Sequence, residues 1–166
     1  MFELKAISKQ AIPGALEKVE RYRLLNEPGN AESICRDILA IDPENQATFV
    51  ALILSLADQF SEGLHLRFEE AKQTATRLTS KYEREYYLGI ICERRGRSHH
   101  QRGTPGAGHL AYDWLHDAMA AYENAEKLRP EGNDDALLRW NSCARFIMHH
   151  PEIQPVEHTS APLELE

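Results

Sequence analysis

The stretch that decides the fold is Asp113–Pro130, DWLHDAMAAYENAEKLRP. Within it Ala118, Ala121, Tyr122 and Ala125 fall at i, i+3, i+4 and i+7, so three small side chains and one aromatic share a helical face. A face of that kind lets a second helix approach closely. The run closes on Leu128-Arg129-Pro130, with a cation in the last turn and a proline that bars continuation.

Working outward, the same periodicity recurs. Ile12, Leu16 and Val19 mark a first helix, opened by Pro13 and ending near Asn26. After a turn at Pro28-Gly29, a second helix is expected from an N-cap at Asn30, burying Ala31, Ile34, Cys35, Ile38 and Leu39 and closing at Asp42-Pro43. From Ala47 to Phe60 nearly every position is apolar, which predicts a helix packed on more than one side and therefore central. Ser61-Glu62-Gly63 breaks it, and a fourth helix carries Phe68, Ala71, Ala75 and Leu78 to about Ser80. A fifth presents Tyr86, Tyr87, Leu88, Ile90, Ile91 and Cys92 and is expected to end at Glu93-Arg94-Arg95-Gly96.

The four glycines and one proline of GRSHHQRGTPGAG then predict a flexible inserted loop over about 96–109. A sixth helix follows over about Leu110–Leu128, and a seventh from a cap at Asn133 to His149-His150-Pro151, with Ala136, Trp140, Cys143 or Ala144, and Ile147 inward. The expected organisation is one helical domain over 1–150 and an acidic, proline-containing, unstructured tail over 151–166.

Composition supports an all-α chain: charged residues are 27% and aromatics 8%, and runs alternating with period two are scarce. A formal charge of −7 disfavours wrapping of nucleic acid. No apolar run is long enough for a membrane span, and Met1–Gln10 lacks the pattern of a signal peptide, so a cytoplasmic location is expected. Cys35, Cys92 and Cys143 are dispersed in helical apolar patterns and read as buried reduced thiols.

Ala118, Tyr122, Ala125 and Pro130 match all four places of the second-helix pattern of a tetratricopeptide repeat (TPR), and Ala31, Cys35, Ile38 and Pro43 keep its spacing with two substitutions. Ala71, Ala75 and Leu78 repeat it without the closing proline, and Leu88-Gly89 resembles the Leu-Gly of a first helix. The chain is thus similar to TPR proteins over roughly residues 12–148. A standard repeat is about 34 residues. Here 40 residues separate Ala31 from Ala71 and 47 separate Ala71 from Ala118, placing insertions at about 61–66 and 96–109.

The resemblance implies a right-handed superhelical stack of about three TPR-like hairpins with a capping seventh helix. It also implies a non-catalytic scaffold or adaptor that binds a peptide or partner protein in a concave face lined by first helices. The groove residues it picks out are Leu16, Glu20, Val50, Leu54, Tyr86, Tyr87, Ile90 and Arg94, extended by Asn141 and Arg145. The family's clamp for a C-terminal carboxylate is missing, since Leu16, Glu20, Ala51, Glu83 and Tyr87 stand at its places. A self-associating subunit that dimerises through its terminal helices is the alternative, because solenoid ends need covering.

Chemistry-bearing clusters are few. Arg95, Arg97 and Arg102, with Arg94, His99 and His100 nearby, form a cationic stretch in an acidic chain and are candidate anion or acidic-partner ligands. The eight histidines include no i, i+4 pair with a nearby carboxylate, so neither a metal nor any other cofactor is expected. Nucleophile-elbow, P-loop, H-E-x-x-H and dinucleotide motifs do not occur, and the side-by-side acids Glu69-Glu70 and Asp134-Asp135 diverge on a helix. Nothing in the chain argues for an enzyme.

Overall fold

The computed structural model describes residues 1–61 and 64–156. They form seven α-helices: α1 (Ile12–Leu24), α2 (Pro28–Ile41), α3 (Gln46–Ala57), α4 (Leu64–Thr76), α5 (Lys81–Arg102), α6 (Ala107–Leu128) and α7 (Asp135–His149). A short 3-10 turn, Lys9–Ala11, leads into α1, and no strand occurs among the described residues. The all-α class read from the sequence holds.

Local chemistry sets most of the boundaries. Asn45 caps α3 by accepting a 2.9 Å hydrogen bond from the Thr48 amide, and Ser80 caps α5 by accepting from Glu83. Helix α2 begins at Pro28 rather than at Asn30, because proline fits the first helical turn, where its missing N–H is not needed. The connection before it is instead Leu25–Glu27, with Asn26 in the left-handed region at φ 59°.

Each helix packs on its chain neighbours, and α3 also touches both α1 and α5, so the apolar α3 is central. One core cluster gathers Val19, Cys35, Phe49, Ile53, Leu56 and Phe68 from α1–α4, Phe60 and Leu78 just after α3 and α4, and Ile91 of α5. A second gathers Ile90, Ala111, Leu115, Ala118, Tyr122, Ala125 and Cys143 from α5–α7. Tyr87 and Trp114 pack against both clusters and join them. The patterned positions Ala31, Cys35 and Ile38 on α2, Ala71 and Ala75 on α4 with Leu78 just after it, and Ala118, Tyr122 and Ala125 on α6 are all buried.

Two expectations fail here. The flexible loop over 96–109 does not exist as such: α5 continues through Arg102, and only residues 103–106 connect it to α6. Gly96 is helical and buried because the missing side chain admits α6. A Cβ there would meet Leu115 Cγ at 3.0 Å and the Ala111 carbonyl at 3.1 Å. Ser98 is likewise buried, its hydroxyl 3.4 Å from the Phe60 carbonyl. The extra length of the third hairpin is thus two long helices of 22 residues each. The helix stops at Gly103, whose φ of 58° suits glycine.

The tail expectation fails at its start. After α7 the chain turns, the Ile153 amide donates to the His150 carbonyl, and Ile153 is buried in the second core cluster. Gly108 is where this segment crosses α6, since any Cβ there would overlap the Glu152 carbonyl. Residues 157–166 of the expected tail lie outside the described residues.

Candidate functional site

A single carboxylate joins the three odd-numbered helices that touch. Asp58, at the C-cap of α3, accepts a 2.7 Å hydrogen bond from Arg23 Nε in the last turn of α1. Its other oxygen lies 3.4 Å from Arg94 Nη1 on α5. The three residues line an open cleft of about 440 Å³ together with Glu20, Leu24, Asn26 and Pro28. Leu24 presents 88% of its surface to solvent at the edge of this ionic string, and Arg94 keeps 39% of its side chain exposed. A loosely held guanidinium beside an uncovered leucine can bind a ligand carrying both a carboxylate and an apolar group.

Of the residues expected to line a groove, Glu20 and Arg94 line this cleft. Val50 is half-buried against the first core cluster and Leu54 against the second. Tyr86 stacks on Tyr82 with ring centroids 5.8 Å apart, meets Tyr87 edge-on at 5.2 Å and lies 5.9 Å from Tyr122. Tyr87 sits between the clusters, and burial, followed by the nearby Glu83, pushes its hydroxyl up to about 12.

Ile90 corrects the expectation: it is 3% exposed and belongs to the core, because α6 covers the side of α5 from which it projects. Asn141 is also displaced from the groove, lining a separate recess with Glu123, Glu126, Leu137 and Trp140. Arg145 is exposed on α7.

The arginines expected to gather round an anion are dispersed. Once the segment is helical, successive positions turn by 100°, so Arg97 leaves the side shared by Arg95 and Arg102. The Arg95 guanidinium lies 3.9 Å from the Phe68 ring centroid and 4.6 Å from that of Trp114, and desolvation lowers its pKa. Arg97 donates to Glu93 at 2.9 Å and to Ser142 at 3.2 Å, and covers the Phe146 ring at 4.3 Å. Arg102 donates to the carbonyls of Phe60 and Ser61. Three cations are spent on three separate contacts.

Sequence reasoning missed two constellations. Glu93, 2% exposed, gathers Tyr122, Arg97 and, at 3.6 Å, Arg139 between α5, α6 and α7. Each residue is unremarkable alone, and only the close α5–α6 pairing brings them together. His100, His150 and Glu152 converge where the segment after α7 folds back on α5, a grouping that no local spacing of the histidines announces. Among the described residues no helix is long and apolar enough to cross a membrane. Comparison with protein-family models, with curated proteins and with solved structures yields no match.

Proposed function

We propose that the chain is a TPR-like, non-catalytic interaction module that holds a peptide or a segment of a partner protein against the α1–α3–α5 face. The observation that carries this reading is the cleft in which Arg23, Asp58 and Arg94 bring those three helices together beside exposed Leu24. Burial of the repeat-patterned positions on α2, α4 and α6 supports the TPR-like stacking, because it leaves the odd-numbered helices to supply the opposite face. A partner carboxylate can compete for Arg94, whose 3.4 Å contact with Asp58 is longer than that of Arg23, while an apolar side chain covers Leu24.

The test is selection of a random peptide library on the full chain, followed by affinity measurement on enriched sequences. Arg94→Ala combined with Leu24→Ser is expected to weaken binding at least tenfold with an unchanged melting temperature. Failure to enrich any sequence, or equal affinity for the double variant, overturns the reading.

Self-association has its own supporting observation. Met1, Phe2 and Leu4 at one end of the chain, and Leu138 and Met148 on α7, are large apolar side chains left exposed. Light scattering at two concentrations decides it: a stable dimer that Leu138→Ser with Met148→Ser dissociates favours the structural role, and a monomer removes it.

A further inference from the structure

Helix α5 ends at Arg102, α7 ends at His149, and the chain turns at Pro151-Glu152 before burying Ile153. Three side chains with metal-binding chemistry meet at this junction: His100 from the last turn of α5, His150 at the C-cap of α7, and Glu152. One nitrogen of each imidazole and one oxygen of the carboxylate lie within 4.8 Å of one another.

The rings are held in place before any ligand arrives. His150 Nδ1 lies 2.7 Å from the Phe146 carbonyl oxygen. A carbonyl can only accept, so Nδ1 carries a proton, and in the neutral ring Nε2 keeps its lone pair. His100 is packed edge-on against Phe146 at 5.2 Å and against His150 at 4.6 Å, and its Nε2 lies 2.7 Å from Glu152 Oε1. The segment bearing Glu152 is itself anchored by buried Ile153 and by His109 Nδ1, which donates to the Gln154 carbonyl at 2.8 Å.

We propose that His100, His150 and Glu152 form a site for a divalent ion of the zinc class, which fastens the segment after α7 to the end of the α5–α6 hairpin. Two neutral imidazoles and one carboxylate are a donor set that zinc and its neighbours accept in sites with an open position, whereas calcium and magnesium require oxygen ligands throughout. Ligand atoms on a tetrahedral zinc stand about 3.3 Å apart, given bonds of about 2.0 Å. The ion therefore takes the place of the hydrogen between His100 Nε2 and Glu152, the neutral ring then carrying its one proton on Nδ1, and opens that 2.7 Å contact slightly. Access is present, because His100, His109 and Glu152 line an open cleft of about 340 Å³ from which water completes the coordination.

The test uses the full chain stripped with a chelator and titrated with cobalt(II) alone, read by its visible d–d absorption. The expected result is saturation at one ion per chain, displacement by zinc, and a rise in melting temperature with either metal. Glu152→Gln, an exposed and isosteric change, and His150→Gln are each expected to weaken binding at least tenfold, while His149→Gln and His116→Gln leave it unchanged. The proposal is overturned by an absence of d–d bands at stoichiometric cobalt. It is equally overturned if His149→Gln weakens binding as much as His150→Gln, or if Glu152→Gln keeps full affinity.

Discussion

The Tyr122 hydroxyl donates a 2.7 Å hydrogen bond to Glu93 Oε2, and both residues are at most 2% exposed. This is the point at which α5 and α6 are locked in register. Burial, reinforced by the adjacent Glu93, drives the Tyr122 hydroxyl pKa far upward, so the phenol stays a donor at every ordinary pH. On the other side of the carboxylate, Arg97 and Arg139 supply the opposite charge that a buried Glu93 requires.

Tyr122→Phe deletes this donor and leaves a buried carboxylate short of one partner. A hydrogen bond to a charged group is worth about 1.5–3 kcal/mol. For a chain of this size, the melting temperature is expected to fall by roughly 2–4 °C per kcal/mol. Thermal denaturation of the variant checks this, and an unchanged melting temperature contradicts the claim that Glu93 depends on Tyr122.

Gly89 faces the same tyrosine so closely that a Cβ would overlap the ring atoms Cδ1 and Cε1. Gly89→Ala must therefore push α6 away or turn Tyr122 out of its site, at a cost of about 1–3 kcal/mol. Gly14, in α1, meets nothing within 4 Å of a Cβ. Gly14→Ala should be neutral or stabilising by up to about 1 kcal/mol, as alanine is the better helix former. Denaturant midpoints of the two variants should move in opposite directions or differ clearly in size.

How far the sequence could be read follows from these same residues. Ala118, Tyr122 and Ala125 announce a close helix contact by spacing alone, and they are buried in one. The partner surface on α5 was harder to see, because Gly96 in a stretch rich in glycine, histidine and arginine looks like a helix breaker. Only the proximity of Leu115, Trp114 and the Ala111 carbonyl gives that glycine its reason. Ending α5 at Gly96 loses the helical residues 97–102, while α6 and α7 stand close to where their spacing puts them. Arg95, Arg97 and Arg102 read as one cationic cluster at a helix end and its loop, yet the helix turns Arg97 away from the other two and each cation has its own contact. His100 and Glu152, 52 positions apart, have no local pattern that could announce their meeting.

Arg97 belongs to the interior network, and substitution there should act on stability. Arg97→Glu puts a second carboxylate in place of the cation that now lies 2.9 Å from Glu93, and removes the bridge to Ser142. Breaking a buried pair in this way costs about 3–5 kcal/mol. Arg94→Glu changes an exposed pair and should cost about 1 kcal/mol or less. Circular-dichroism melts of both variants separate the roles, and equal losses would show that Arg94 is structural too.

The three cysteines give a pH-dependent prediction. Burial pushes Cys35, Cys92 and Cys143 each up to about 12, whereas an unfolded thiol titrates near 9. The thiolate, not the thiol, attacks alkylating reagents, so iodoacetamide at pH 8 should modify the folded chain slowly and the denatured chain quickly. The same difference couples to folding. A thiol that holds its proton more tightly when folded contributes stability that is fully present below pH 9 and is lost as pH rises towards 12. Each cysteine should steepen that alkaline loss by about 1.4 kcal/mol per pH unit. Cys35→Ala should therefore flatten the fall of the melting temperature above pH 9 relative to the parent. An identical alkaline slope in the variant would mean that Cys35 ionises in the folded chain as readily as in the open one.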